Sequence, residues 1–264
     1  MRRFIWLAAP FLLTALSAAP PCLAQPVELA GHRALYTLTL ASSRGDVTTA
    51  GGTLAFEMAD ACEGWTTRQR MRINVTNRDG QDIEIGSDYA TFESKDGLSL
   101  RFNMRQTTEQ AVTTETEGDA SLPAAGAAGE ARYTRPTDAR KPLPAGTLMP
   151  NMHTIAIIEA ARAGKKFLSM PLFDGTTADG AQDTSVAIFS WDAPQPNKFP
   201  ALAALPSGRV RIAFFDREKG ATTPDYELGM RYYVNGIAED MSMDFGDFVM
   251  KATLQELTVL PKGC

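Results

Sequence analysis

The sequence predicts a mainly β fold: a long antiparallel sheet, strongly curved into a spiral-like open β-barrel, with one buried helix against its concave face. Three observations carry that prediction. Apolar residues recur with period two along many separate segments, the mark of half-buried antiparallel strands. Hairpin-type dipeptides divide them: Asp79-Gly80, Asp96-Gly97, Asp174-Gly175 and Asn235-Gly236. A single segment of helical character interrupts the series. The strands number roughly a dozen, more than a flat open sheet carries without curling or splitting.

The N-terminus, "MRRFIWLAAPFLLTALSAAPPCLAQP", reads as a leader. Arg2 and Arg3 form a basic start, Phe4 to Leu16 is an apolar run too short for a stable span, and cleavage falls after Ala24. Ala19-Pro20-Pro21-Cys22 lacks the leucine and small residues that lipidation at Cys22 requires. No later segment is long and apolar enough to cross a bilayer. Residues 1–24 are therefore expected to be a cleaved signal peptide and 25–264 a single domain, secreted to the periplasm. Losing the leader takes the formal charge from -5 to -7. That balance argues against nucleic acid as a partner.

The strands follow in order. In "RALYTLTL" Ala34, Tyr36, Leu38 and Leu40 share a face; in "QRMRINVT" Met71, Ile73 and Val75 do, with Arg70 and Arg72 opposite. "LSLRFNMR" places Leu98, Leu100, Phe102 and Met104 against Arg101 and Arg105. The stretch from Leu122 to Gly146 is rich in Pro, Gly and Ala and reads as an irregular connection with one short strand, Ala131 to Thr134. "LMPNMHTIAIIEAARAGKK" then carries Pro150 at a helix start and Gly164 at its end, apolar on most sides and so buried on most sides. "RVRIAFFD" puts Phe214 and Phe215 on opposite faces, after a long loop from Trp191 to Pro206. "EDMSMDFGDFVMKATL" closes the series with Met241, Met243 and Phe245, then Phe248, Met250, Ala252 and Leu254.

Without the leader, three cysteines become two, and an even pair in an oxidising compartment predicts a disulfide, Cys62–Cys264. A redox-active pair would use CxxC beside a helix start, which is absent. The bond closes a loop of about 200 residues, worth up to roughly 5 kcal/mol in the chain-entropy model. Its expected role is to pin the last strand of an unclosed sheet.

Chemistry is sparse. The two histidines, His32 and His153, sit in different contexts, and no His or Cys pair has metal-ligand spacing. No catalytic residue, cofactor or metal is assigned. Asp244-Phe245-Gly246 lies in an alternating strand without the partners of a kinase site. His153 falls in the first turn of the helix, where the dipole disfavours imidazolium. It is either hydrogen-bonded to the sheet or, with Met152 and Ile155, a contact of a ligand cavity. Arg70, Arg72, Arg101 and Arg105 either form a basic patch able to hold phosphate or carboxylate, or are the charged outer face that keeps an exposed sheet soluble. The methionines line strand core faces, as filler or as an adaptable wall for acyl chains.

Together "HRALYTLTL", "ACEGWTTRQRM", "FESKDGLSLRF", "AGTLMPNMHT", "LFDGTT", "TPDYELGMRYYVNGIAEDMSMDFGDFVMKATLQEL" and the terminal cysteine resemble the EipB family of alphaproteobacterial cell-envelope integrity proteins. The resemblance implies a periplasmic, spiral-like open barrel holding a helix, the Cys62–Cys264 bond, and a role in envelope integrity without established catalysis. It also implies a tetratricopeptide-repeat envelope protein as a partner class and a shape similar to lipoprotein carriers. Asn151-Met152 stands where relatives often carry smaller residues. The reading is a non-enzymatic binding or scaffold protein that takes a protein segment, a peptide or a lipid ligand. A lipid or lipoprotein carrier and an envelope hydrolase are the alternatives.

Overall fold

The computed structural model describes residues 26–217 and 221–264. The leader assigned to residues 1–24 lies outside the described residues. Its strands are β1 (His32–Ser43), β2 (Val47–Asp60), β3 (Gly64–Asn77), β4 (Asp82–Ser94), β5 (Ser99–Thr108), β6 (Ala111–Ser121), β7 (Gly129–Arg135) and β8 (Ala139–Leu143). Helix α1 (Pro150–Arg162) follows. Then come β9 (Phe167–Leu172), β10 (Gln182–Ile188), the single turn α2 (Pro200–Ala203), β11 (Ser207–Phe215), β12 (Tyr226–Tyr233), β13 (Ala238–Asp244) and β14 (Phe248–Val259).

All fourteen strands join one antiparallel sheet in the order β8-β7-β6-β5-β4-β3-β2-β1-β14-β13-β12-β11-β10-β9. Two meanders meet at β1 and β14, which pair from His32↔Val259 to Ser43↔Phe248. The first and last strands are therefore interior neighbours, and the edges are β8 and β9, the two strands that flank α1 in sequence. This corrects the expected role of the disulfide, because β14 lies between β1 and β13 and is no free edge. The region 122–146 also holds more order than expected, since it supplies both β7 and β8. Pro142 and a length of five residues hide β8 from a periodicity reading.

Three of the four turn dipeptides close hairpins: Gly80, Gly97 and Gly236 take φ of 82°, 70° and 83° between β3 and β4, β4 and β5, and β12 and β13. Asp174-Gly175 instead opens a longer loop, 173–181, that lies against the concave side. Strand hydroxyls hold it there: Tyr89 Oη donates to Asp174 O (2.5 Å), Thr116 Oγ1 to Gly175 O (2.5 Å) and Tyr133 Oη to Thr177 O (3.0 Å). Coiling of the sheet brings backbones so close that a Cβ at Gly52 would stand 2.0 Å from Arg72 O.

The concave face packs in two clusters. In the larger, Ile157, Ala160 and Ala161 of α1 meet Tyr36, Leu38, Ile73, Val186, Ile212 and Met250. Ile157 and Ile158 are fully buried, each contributing roughly 1.5–3 kcal/mol. In the smaller, Phe102, Tyr133 and Phe173 pack edge to face with Leu100, Leu143 and Met149 around them.

Among the described strands only β8 and β9 contain proline, Pro142 and Pro171. Each edge strand thus carries one residue with no N–H to offer a further strand. Pro171 O instead accepts from Leu148 N–H (2.9 Å), capping part of the β9 edge.

The C-terminal tail crosses back over the start of the sheet. Leu260 N–H donates to Gly31 O (2.7 Å), Lys262 Nζ meets Glu28 (2.8 Å), and Cys264 is bonded to Cys62 with Cα atoms 5.5 Å apart. The bond fastens this tail, and the N-terminal segment beneath it, to the β2–β3 turn.

Two outcomes follow from this layout. Cys62→Ser with Cys264→Ser lowers the unfolding free energy in urea by up to about 5 kcal/mol, the entropy of a loop with 202 residues of separation; equal midpoints for the two proteins would show the bond to be without weight. Pro142→Val with Pro171→Val raises self-association above wild type at equal concentration. Light scattering that detects no difference would remove the edge-blunting role.

Candidate functional site

A cavity of about 230 Å³ lies between the α1 N-terminus and the sheet. The geometry begins with that helix start. Met149 precedes it without a capping side chain, leaving its first amides without a local acceptor. Glu93 of β4 reaches across to them. Its Oε2 accepts from Asn151 N–H (2.7 Å) and its Oε1 from Met152 N–H (3.0 Å). Glu93 is fully buried, and burial pushes its pKa up to about 7 despite the amides, which favour the charged form. Asn151 Nδ2 also lies near enough to favour that charge, yet it makes no hydrogen bond of ordinary geometry.

The cavity wall continues from Asn151 and Thr154 to Thr67 and Gln69 of β3, Tyr89 and Thr91 of β4, and His32 and Tyr36 of β1. Leu54, Phe56 and Met58 of β2 with Leu228, Met230 and Met241 supply the apolar part. His32 Nδ1 donates to Ala30 O (2.8 Å), leaving Nε2 as an acceptor, and burial holds the ring below its ordinary pKa. Leu29, packed on Gly236, borders the cavity at the β12–β13 turn.

The three helix positions singled out in the sequence lie around this cavity without lining it. His153 is buried and turned to β10: Thr184 Oγ1 donates to Met170 O (2.7 Å) and so accepts from His153 Nε2–H (2.9 Å). Burial pushes its pKa down to about 4. Met152 packs on Gly97 in the β4–β5 turn, and Ile155 is half-buried. The lining positions are their neighbours Asn151 and Thr154. The legible signal for the rest was phase: Gln69 and Thr67 continue the inward face of Met71, Ile73 and Val75, so the face turns polar as it reaches the cavity.

The arginines are interleaved with carboxylates. Arg70 and Arg72 both hold Asp88 at 2.7 Å. Arg105 stands in register between Asp88 and Glu115, and Glu115 is held by Arg135 at 2.7 Å. Arg101 lies over the Phe92 ring (5.0 Å) opposite Asp119. A larger trough of about 620 Å³ crosses this outer face, but it is open and its Arg33 and Glu57 pair with each other. Among the described residues no group of three His, Cys, Asp or Glu could hold a metal ion, and no helix is long and apolar enough to cross a membrane.

A family model described as EipB-like matches residues 23–261. The chain is 30% identical over 248 residues to the cell envelope integrity protein EipB of Brucella abortus (strain 2308), covering 91% of this chain and 88% of that protein. It is similar, with a TM-score of 0.80 and 30% identity, to the crystal structure of a β-barrel-like protein of a domain of unknown function from Brucella abortus. That match covers 89% of this chain and 100% of the other.

Two of the buried titrating groups, Glu93 and His153, act on stability in opposite senses. Glu93 binds its proton more tightly folded than unfolded, so its contribution is complete below pH 4.5 and is lost as pH rises to about 7. His153 binds its proton less tightly folded, so its contribution is complete above pH 6.5 and is lost as pH falls to about 4. Across those windows the stability difference between wild type and Glu93→Gln falls with rising pH, and that between wild type and His153→Gln rises, each by on the order of 3 kcal/mol. Urea titrations at several pH values check this, and parallel curves would mean that neither group is perturbed.

Proposed function

The chain belongs to the EipB-like family, and on that premise we propose that it is a non-enzymatic periplasmic binding or scaffold protein that maintains cell-envelope integrity. The observation that carries this reading is how the interior is used. Helix α1 and loop 173–181 occupy the concave face, and two groups a hydrolase would draw on, His153 and Glu93, are committed to structure. His153 is tied to Thr184, and both Glu93 oxygens accept helix amides. What remains for a ligand is a cavity with apolar and uncharged polar walls.

A protein partner is further supported by the outside. Phe167, which opens edge strand β9 directly after Lys165 and Lys166, is 76% exposed, and Phe189, directly after β10, is 64% exposed. A tetratricopeptide-repeat envelope protein is the partner class proposed. The lipid-carrier alternative draws on the methionine wall, but about 230 Å³ is below the roughly 300–1,000 Å³ of drug-sized ligand pockets, too small for a whole lipid.

In-cell crosslinking followed by pull-down recovers a discrete envelope protein with the wild type and loses it with Phe167→Ser/Phe189→Ser, which also fails to restore a deletion strain under envelope stress. Recovery of nothing specific, with full restoration by the double variant, would sink the scaffold reading. Native mass spectrometry showing a bound lipid would favour the carrier.

A further inference from the structure

The cavity beside the α1 N-terminus divides its chemistry sharply. One part of its wall is apolar, with Leu54 and Met58 from β2, Met230 from β12 and Met241 from β13. Another part carries Thr67, Gln69, Thr91 and Asn151. Thr67 and Thr91 are cross-strand partners, 9% and 8% exposed. Among the described residues the side chains of Thr67, Gln69 and Thr91 make no hydrogen bond, and Asn151 Nδ2, beside the Glu93 carboxylate, makes none of ordinary geometry. Side chains that keep free donors and acceptors on a cavity wall suit a ligand rich in the same groups.

Charge narrows the class. Among the described residues no Asp, Glu, Lys or Arg lines the cavity. A phosphate, carboxylate or ammonium group would enter without a counter-charge, which is strongly unfavourable. An alkyl chain end would suit the methionines and leave the four polar side chains unmatched. A molecule with hydroxyl groups around its rim and C–H groups on its faces answers both walls. Size then limits it: about 230 Å³ is below the roughly 300–1,000 Å³ of drug-sized ligand pockets, so the ligand is small, on the scale of a single ring.

We infer that this cavity binds one uncharged sugar ring, a neutral hexose or N-acetylated hexosamine, through Thr67, Gln69, Thr91 and Asn151, with a C–H face against the apolar wall. The ring is either a free monosaccharide or the terminal unit of an envelope glycan. The inference rests on the reading of the chain as a binding protein and names the ligand class of its interior.

The test uses the mature protein with glucose, N-acetylglucosamine and its β-1,4-linked trimer, followed by calorimetry and saturation-transfer NMR, with lysophosphatidylcholine as comparator. Saturable binding of at least one sugar is expected. A tighter monosaccharide assigns the free sugar, and a tighter trimer assigns the glycan end. Thr67→Val/Gln69→Met/Thr91→Val keeps shape and removes hydrogen bonding, so it should bind at least about tenfold more weakly, about 1.4 kcal/mol. Its melting midpoint should stay close to that of the wild type, because none of the three side chains bonds to the protein. Thr91→Val alone serves if the triple variant fails to fold. Saturation by the lysophospholipid alone, no saturable sugar binding, or undiminished affinity in the folded variant overturns the inference. A wild type that recovers an envelope partner yet binds no sugar loses only the ligand class, and one that binds sugar but recovers no partner loses only the scaffold reading.

Discussion

The pairing of β1 with β14 is the constraint on which the rest of the structure depends. By joining the chain's two ends inside the sheet, it turns two meanders into one surface of fourteen strands. The edges must then be β8 and β9, and the segment that links them must carry the chain from one edge to the other. That segment is α1. A helix apolar on most sides cannot remain in water, so it crosses through the concave interior. The curl of the sheet and the placement of the helix are two consequences of one register.

The same layout explains the buried carboxylate. A helix that starts inside a barrel brings its unsatisfied amides into a region without solvent. Met149 and Pro150 offer them no side-chain acceptor, and Glu93 supplies one from a strand more than fifty residues earlier. The arrangement sets desolvation of a carboxylate against two amide bonds, and desolvation is the larger. Glu93 thereby fixes the height of α1 in the barrel, and with it the position of Asn151 beside the cavity.

Outside, electrostatics serve solubility. Rows such as Arg70, Asp88, Arg105 and Glu115 alternate in sign across β3 to β6. Such rows contribute little stability individually at the surface, but they keep a long exposed sheet from meeting another. The prolines in β8 and β9 complete that defence at the edges. The tail held by Cys264 acts locally, covering residues 28–31, which border the cavity at Leu29.

Much of this protein follows from the sequence by itself. Alternation marked β1, β3, β5, β11, β13 and β14, the flanking Pro150 and Gly164 bounded the helix, and a count of two remaining cysteines matches the bonded pair. These are properties of short stretches, where side-chain period and backbone preference act over a few residues. β8 escaped because a five-residue strand with a proline leaves no period to read. Strand order, the Glu93 reach to Asn151, the interleaving of arginines with carboxylates, and the meeting of Thr67, Thr91 and Asn151 were decided only by the tertiary structure. Each joins residues from separate elements, and no local preference encodes which strand becomes the neighbour of which.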